Sequence, residues 1–389
     1  MPQRTPEITN LTWADVPAGA ITLPRGAAPI TLGLGSALAR RPGDPPGRVF
    51  ALGDRGPNLK LSEALSEFGL MAFQALDAPG AAKIMPRLEL GPTICELQVE
   101  GDGVRLVRTL PLRRPDGGLV TGAPPPHAIA AEPAFDLAAR PIAPDPDGAD
   151  TEGLAALLDG TFWVAEEYGP SLLRVAADGT VRERWTPPGR AARGARIPQR
   201  PLLPRLAAAR RPNRGFEALA LSPDETRLHV AFQSALETPG EPDDQVRIWT
   251  LDAASGALVA EHAYRFDPPD SFLRDAEAGP VDAAVLKICD AVLIGPSRLL
   301  VLERISRSAK LYLVTLEAAE RGEPAPAGPL PPLRKMLLFS TDEHRQIAPD
   351  LEGVAMLSDR ELLLVTDNDF GLGGAATAFY RLRFDDALD

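Results

Sequence analysis

Hydrophobic residues in this 389-residue chain occur in short runs that end at glycine, proline, aspartate or asparagine. Runs of this length, bounded in this way, are typical of β-strands. Helical periodicity is scarce, and the best helical candidates, residues 59–69 and 316–322, are short. The pattern therefore predicts an all-β protein. The predicted strands are 49–52, 94–99, 104–110, 161–165, 171–176, 227–232, 245–251, 299–302, 310–316, 362–366 and 378–384.

A weak internal repeat organises several of these runs. Segments 150–155, 215–220 and 350–355 each place a glutamate before a small residue and an apolar strand start. After each glutamate a turn and a second apolar run follow, and a polar cluster begins 14, 16 or 15 residues later. The glutamates are Glu152, Glu217 and Glu352, and the clusters begin at Glu166, Gln233 and Asp367. This spacing fits two strands joined by a tight turn, so the opening glutamate and the closing cluster lie side by side.

Repetition of such hairpins predicts a β-propeller, in which these strand ends open on one face around a central axis. Candidate blades lie near 30–58, 93–122, 150–185, 213–267, 285–316 and 335–384. We expect six blades, or seven, and we expect the N-terminal segment 2–23 to close the ring with the last strand. The prediction is one propeller domain over residues 1–389 with an arginine- and proline-rich insertion at about 186–212.

Amino-acid composition and net charge argue against some classes of binding partner. The chain is 44% hydrophobic and 24% charged, as expected for a globular protein with a substantial core. Its 41 basic and 53 acidic residues give a net charge of −12, so no basic field exists to hold nucleic acid or an anionic membrane. We expect neither partner, and we leave the oligomeric state open.

Cysteine content and the N-terminus bear on the compartment. Cys95 and Cys289 are too few for a disulfide framework, and we expect both to be core residues. The first residues lack the apolar run of a signal peptide. The sequence as written therefore predicts a cytoplasmic protein, or a periplasmic or secreted one if a signal was removed.

The repeated segments together resemble the phytase-like family known as "esterase-like activity of phytase", a β-propeller family typical of bacteria. The resemblance covers nearly the whole chain. It implies hydrolysis of phosphoesters or carboxylesters, and it favours export, which is usual in the family. The segments that carry it are Gly-Asp-Arg-Gly-Pro-Asn at 53–58, Asp-Thr-Glu-Gly at 150–153, Phe-Trp-Val-Ala-Glu-Glu-Tyr-Gly-Pro at 162–170, Asn-Arg-Gly-Phe-Glu at 213–217, Leu-Glu-Arg at 302–304, Glu-Gly at 352–353 and Asp-Asn-Asp-Phe-Gly at 367–371.

Many carboxylates would crowd the axial face. So many acids cannot all stay ionised without a cation, and oxygen-only ligands favour Ca²⁺, with Mg²⁺ as the alternative. We assign metal binding to six of them: Asp54, Glu166, Glu167, Glu217, Glu303 and Asp369. We assign catalytic roles to Glu152, Glu352 and Asp367. The alternative is structural, because carboxylates at strand entrances also accept backbone N–H groups.

Three arginines adjoin these acids, and guanidinium groups bind phosphate bidentately. We assign binding of a small anionic substrate to Arg55, Arg214 and Arg304, together with stacking by Tyr168. The alternative is that the arginines hold the axial face together through ion pairs. Separately, residues 184–214 carry nine arginines and no acid, which suits either a lid that attracts an anion or a solvated loop.

Ser–His hydrolysis finds little support. The chain has no Gly-x-Ser-x-Gly elbow, and Ser36 is best interpreted as a strand-entry residue. His344 lies in a loop before Glu352, where it is either exposed or directed at the site. The sequence favours a metal-dependent hydrolase of phosphoesters or small esters. The alternative is a non-catalytic propeller that serves as a ligand- or protein-binding platform.

Overall fold

Valine, leucine, isoleucine and aromatic residues dominate the strands, because such side chains fill the space between stacked sheets. The computed structural model describes residues 5–316, 322–325 and 328–388. Within these residues, five sheets of four or five strands follow one another along the chain. We number them blades 1 to 5 and count the strands of each from the inner to the outer edge. Every run that the sequence predicts to be a strand overlaps an observed strand.

The strand bounds are as follows. Blade 1 comprises Ala37–Ala39, Arg48–Gly53, Thr93–Glu100 and Gly103–Pro111. Blade 2 comprises Thr151–Ala156, Phe162–Glu166, Ser171–Val175, Val181–Trp185 and Gln199–Arg200. Blade 3 comprises Phe216–Leu221, Arg227–Phe232, Gln245–Asp252 and Leu258–Arg265. Blade 4 comprises Lys287–Ile294, Arg298–Arg304, Ala309–Thr315 and Lys335–Ser340, and blade 5 comprises Leu351–Met356, Glu361–Thr366, Phe379–Arg383 and Glu7–Leu11.

The inner strands form a closed ring. Each contacts the inner strand of the next blade, and that of blade 5 contacts that of blade 1. Strand Glu7–Leu11 pairs antiparallel with Phe379–Arg383, so the two ends of the chain share one blade. The molecule is a β-propeller, and the predicted closure by the N-terminal segment is confirmed.

The described residues form five blades, and the expected count of six or seven is wrong. The segments 30–58 and 93–122 are two halves of blade 1, because Arg48–Gly53 pairs directly with Thr93–Glu100. Residues 54–92 form an insertion between these two strands. At the other end, Lys335–Ser340 pairs with Ala309–Thr315 and so completes blade 4.

Smaller elements decorate the ring. A hairpin joins Pro17–Leu23 to Gly26–Thr31, and a cap sheet joins Leu59–Lys60, Lys83–Ile84 and Ala134–Phe135. The helix predicted at 59–69 is wrong, because this segment begins as a strand and continues into a single 3-10 turn. Most of the helix predicted at 316–322 lies outside the described residues. The one α-helix described is Leu273–Ala276, and the 3-10 helices are Leu61–Glu63, Met71–Phe73, Arg205–Ala209, Pro269–Ser271, Ala283–Val285, Thr341–Glu343 and Asp369–Gly374.

The core lies between neighbouring blades. In blade 3 the rings of Phe232 and Trp249 meet edge to face at 5.0 Å, and Phe216 packs against both. Burying a large apolar side chain stabilises a fold by about 1.5–3 kcal/mol. Apolar side chains thus occupy the faces of the blades, and polar side chains that could form a site lie at the ends of the strands. Among the described residues, no helix is long and apolar enough to cross a membrane.

Candidate functional site

Each inner strand has a β-bulge near its start. In blades 2 to 5 the pairing register slips by one residue at this point. In blade 1 the amides of Gly35 and Ser36 both donate to the carbonyl of Leu52, which makes Ser36 the equivalent residue. A bulge leaves one extra residue unpaired and redirects its side chain. The five bulge residues are Ser36, Glu152, Glu217, Cys289 and Glu352.

A second set of side chains comes from the ends of the second strands, next to the bulges. The amides of Glu167 and Asp367 donate to the carbonyls of Asp150 and Asp350, each at 2.9 Å, which fixes the two strand ends side by side. This confirms the predicted pairing of inner-strand entrances with second-strand exits. The residues of this second set are Asp54, Glu167, Gln233, Arg304 and Asp367. We call the two sets together the axial ring.

Glycine explains the repeated Glu-Gly step. A Cβ at Gly153 would lie 2.9 Å from the carbonyl oxygen of Glu217, and one at Gly353 would lie 2.6 Å from the side chain of Val365. Real Cβ atoms do not approach so closely, so a larger residue would push neighbouring strands apart. The glycine after the glutamate allows the inner strands to converge at the axis.

Three acids in this region are arranged for a cation. Asp54, Asp150 and Glu152 each offer a carboxylate oxygen, and these oxygens lie within 4.8 Å of one another. With these acids ionised, Asp150 Oδ1, Glu167 Oε1 and Glu217 Oε2 are buried without a hydrogen-bond donor, and the carboxylates of Asp150 and Glu167 lie within hydrogen-bond reach of each other. Because buried polar atoms are normally paired, these oxygens fit a positively charged ligand. The described residues thus contain an acidic group suited to metal binding.

Burial perturbs these acids strongly. It raises the pKa of Asp54 and of Asp150 to about 6, and that of Glu167 to about 8. Burial and then neighbouring carboxylates raise the pKa of Glu152 and of Glu217 well above the usual range. Since a cation favours the ionised forms, it would offset the mutual repulsion of these acids.

Glu352 differs from the other acids of the axial ring. Burial favours its neutral form, but the charges of Arg304 and Lys287 outweigh burial and lower its pKa. Arg304 Nη2 contacts its carboxylate, and Lys287 Nζ lies 3.5 Å from Glu352 Oε1. The ring therefore has a crowded acidic side in blades 1 to 3 and an ion-paired side between blades 4 and 5.

Asp367 and Asp369 lie beside Glu352. Burial and then the charge of Glu352 raise the pKa of both. Asp369, Phe370, Asp350 and Asn213 all have positive φ, and they are four of the six non-glycine residues with positive φ in the described chain. Asparagine and aspartate adopt this left-handed conformation readily, so only Phe370 is an unusual residue for it.

The three predicted substrate arginines differ in their partners. Arg55 pairs with Asp150 and Glu167 and donates to Asn213 Oδ1 at 2.6 Å. Arg304 pairs with Asp350 and Glu352.

Arg214 differs from Arg55 and Arg304 because its guanidinium has no ion-pair partner among the described residues. Its Nη1 donates to the carbonyl of Leu286 at 3.1 Å, and no carboxylate of the described residues lies within ion-pair distance of it. Its guanidinium is therefore the one of the three best placed to meet an anion.

Two predicted metal ligands are engaged elsewhere. Glu166 accepts from the amides of Tyr168 and Gly169 and from Ser171 Oγ, so its carboxylate fastens a turn. Glu303 accepts from Tyr264 and from the amide of Asp267, and it pairs with Lys335 Nζ at 2.7 Å. Both carboxylates have the structural partners that the alternative interpretation described.

Other residues that the sequence analysis considered, among them Tyr168 and His344, also contact structural partners. Tyr168 is buried, its hydroxyl donates to the carbonyl of Gly122 at 2.8 Å, and the Arg55 guanidinium lies over its ring. The His344 ring stacks on Phe339 at 4.9 Å. The two cysteines are free and buried as expected, but the Cys289 thiol accepts from Arg304 Nε at 3.0 Å and so belongs to the axial ring.

The sequence interpretation missed three groups of this site. Asp150 lies two residues before a bulge, and Lys287 occupies the same place in blade 4, where the repeat is hidden because cysteine replaces glutamate. A full alignment of the blades would have revealed both. Lys83 comes from the cap sheet, and burial and then the charge of Arg55 lower its pKa. No local pattern marks Lys83, because its position depends on how the insertion folds back.

Known proteins provide a separate line of evidence. An uncharacterized secreted protein of Arthroderma benhamiae is 27% identical over 236 residues, which cover 52% of this chain and 42% of that relative. The match thus spans less than half of the relative's length.

Two solved structures share low similarity with the chain. A PQQ-bound aldose sugar dehydrogenase of Streptomyces coelicolor has 12% identity and a TM-score of 0.37, with 98% of this chain and 99% of that one covered. A gluconolactonase of Xanthomonas campestris has 12% identity and a TM-score of 0.29, with 75% and 68% covered.

The family model described as "Phytase-like: Esterase-like activity of phytase" matches residues 30–370. This span includes all the residues of the axial ring, the whole of blades 1 to 4 and the first two strands of blade 5. The chain therefore belongs to the phytase-like, esterase-like-activity-of-phytase family.

Proposed function

We propose that this protein is a metal-dependent hydrolase of phosphoesters or small esters that acts at the axial ring. The observation that carries the proposal is the convergence of Asp54, Asp150 and Glu152 beside buried carboxylate oxygens that have no donor. Membership of a family named for esterase-like activity supports the reaction class. The secreted relative supports an extracytoplasmic site of action.

The donor set fits a hard divalent cation. All the candidate ligands are carboxylates, which favours Ca²⁺ or Mg²⁺ over softer metals, and the crowding of several acids favours the larger Ca²⁺. Asp54, Asp150 and Glu152 would hold the ion, with Glu167 and Glu217 close by. This transfers Glu152 from the catalytic to the metal-binding set and leaves Glu166, Glu303 and Asp369 out. When bound, such an ion polarises a phosphoryl or carbonyl oxygen and lowers the pKa of a coordinated water.

The chain's own residues supply the remaining tasks. Arg214 would bind the anionic part of the substrate, because its guanidinium is free of carboxylate partners among the described residues. Asp367, whose pKa burial and Glu352 raise, would hold a proton at its carboxylate for the leaving oxygen. Glu352, kept ionised by Arg304 and Lys287, would help to hold that proton on Asp367 through its negative charge.

The first experiment is hydrolysis of a generic phosphomonoester, phytate and a short-chain acyl ester by chelator-treated protein, with and without added Ca²⁺. We expect Ca²⁺-restored phosphate or acid release. Hydrolysis that does not depend on a metal would overturn the metal mechanism. No turnover of any substrate by folded, Ca²⁺-loaded protein would instead favour the ligand-binding platform.

A matched pair of variants locates the activity. We expect Glu152→Gln to lower kcat by about 10²-fold or more, since one ligand oxygen and its charge are lost. Glu303→Gln makes the same change in a buried carboxylate outside the ring, and we expect activity within a few-fold of the parent. Steady-state kinetics, with melting temperatures to confirm folding, would contradict the axial site if the two variants behave alike.

A further inference from the structure

A pocket lies where the inner strands end, away from the axial ring at their starts. It has a volume of about 250 Å³, and residues from all five inner strands line it. These lining residues are 38–40, 154–156, 219–221, 291–293 and Met356. They follow the bulge residues by two to four positions, which places them about 7–13 Å farther along the strands at about 3.3 Å per residue. We call this space the distal pocket.

The walls of the distal pocket are mostly apolar. Leucine, alanine and proline side chains dominate, and the charged residues among the described lining residues are Arg40 and Glu225. Glu225 lies in the turn after the first strand of blade 3, and its Oε1 accepts the amide of Leu158 at 2.6 Å. A concave apolar surface with few polar groups suits a ligand whose body is apolar.

Arg40 interrupts a ring of apolar side chains in this pocket. The position four residues after each bulge residue holds alanine, leucine or methionine in blades 2 to 5 and arginine in blade 1. The five residues are Arg40, Ala156, Leu221, Leu293 and Met356. Arg40 is half-buried there. Because desolvating a charge is costly unless a counter-charge meets it, this position favours an anion in the pocket.

The guanidinium of Arg40 has no partner within the described chain. Its Nε is buried without an acceptor, and the side chain forms no hydrogen bond or ion pair with a described residue. Its two Nη atoms are equally unpaired but remain accessible, so a ligand can reach them. The neighbouring Arg41 is engaged, because it pairs with Asp44 at 3.4 Å and donates to the carbonyls of Leu157 and Gly160.

We propose that the distal pocket binds a small amphipathic carboxylate, with its apolar body between the inner strands and its carboxylate on Arg40. A carboxylate matches a guanidinium through two parallel hydrogen bonds. One unpaired cation balances one negative charge, which favours a carboxylate over a phosphate dianion. No residue of the axial ring lines the distal pocket, so the proposal does not depend on hydrolytic activity.

Binding of octanoate to chelator-treated protein, measured by calorimetry at neutral pH, tests the pocket without a metal in the axial ring. We expect one octanoate per chain. Arg40→Gln should weaken octanoate binding about tenfold or more, since a charged donor is lost, and should change the binding of uncharged 1-octanol less than about twofold. Arg105→Gln removes the same charge from an exposed position on the outer strand of blade 1, and we expect it to bind octanoate like the parent.

Chain length and pocket filling test the apolar part of the site. Affinity should rise about three- to fourfold for each methylene added between butanoate and octanoate, because each one buries another CH₂ group. Met356→Trp adds volume at a half-buried lining position and should weaken octanoate and 1-octanol alike. Melting temperatures confirm that each variant is folded.

Several results would overturn the proposal. One is an equal affinity for octanoate in the parent and in Arg40→Gln, and another is an affinity that does not depend on chain length. Loss of octanoate binding in Arg214→Gln but not in Arg40→Gln would assign the anion to the axial ring instead. Tighter binding of octyl phosphate than of octanoate would contradict the carboxylate assignment, and the absence of octanoate binding by the parent would contradict the site itself.

Discussion

At the scale of single residues, Asp290 shows how the axis is held together. It follows the bulge residue of blade 4, and its Oδ2 accepts the amides of Leu38 at 3.1 Å and Val354 at 2.9 Å. These amides belong to the inner strands of blades 1 and 5. One buried carboxylate thus joins three of the five inner strands beneath the axial ring.

Asp290→Ala should be strongly destabilising. The change leaves the buried amides of Leu38 and Val354 without this acceptor and also removes the hydrogen bond from the Ala291 amide. At about 1–3 kcal/mol each, the two amides from neighbouring blades alone should lower the free energy of unfolding by about 2–6 kcal/mol. Asp290→Asn keeps one acceptor oxygen and should lose clearly less. Chemical denaturation of both variants checks this, and equal losses would contradict the role given to the acceptor oxygen that asparagine keeps.

Residue roles were only partly predictable from the sequence. The repeated glutamates led directly to Glu152, Glu217 and Glu352, because they share a position relative to a strand start. The same logic could not separate Glu166 from Glu167, since which of two adjacent acids faces the axis depends on the turn that Glu166 itself fastens. Asp290 was not recognised, because its partners come from strands more than 60 residues away.

At the scale of elements, blade 1 shows why strands were easier to predict than their grouping. Hydrophobic runs identified three of its four strands and missed Ala37–Ala39. Residues 54–92 separate the second strand from the third, and such a long insertion looks like a blade boundary. The pairing of Arg48–Gly53 with Thr93–Glu100 is a long-range contact that no local pattern encodes. The closing strand Glu7–Leu11 was easier to anticipate, because a propeller needs a partner for its last strand.

The closing strand offers an element-level prediction. Leu11 is 3% exposed and packs with Leu363, Val365 and Phe379 in the core between blades 5 and 1. Leu11→Ala should lower the free energy of unfolding by about 2–5 kcal/mol, since it leaves a cavity where the ring closes. Glu7→Ala, on the same strand but exposed, is the control and should change stability by less than about 0.5 kcal/mol. Similar unfolding midpoints for the two variants would argue against a closure role.

At the scale of the whole molecule, the propeller brings acids from separate blades into one buried cluster, which links protonation to stability. Burial raises the pKa of Asp54 and Asp150 to about 6 and that of Glu167 to about 8. Between their ordinary values and these raised ones, the folded protein holds protons that the unfolded chain has released. The contribution of these acids to stability is therefore greatest at low pH and is lost as pH rises through this window.

A bound cation should restore the stability that the protein loses as pH rises. We expect Ca²⁺ to raise the melting temperature more at pH 8 than at pH 6, because protons compete with the ion for the same oxygens. At a free concentration about 100 times the Kd, the gain is about 2.7 kcal/mol. Thermal unfolding at both pH values, with and without Ca²⁺, measures the difference, and a larger effect at pH 6 would contradict it.

The bulges at the inner strands have a consequence for how such a molecule changes over evolutionary time. A bulge residue stands outside the ladder of its strand, so exchanging it leaves the surrounding framework unaltered. The five bulge residues face one axis, and in this protein they are one serine, one cysteine and three glutamates. Single substitutions at these five positions can therefore change the net charge at the axis while the strands and their pairing stay the same.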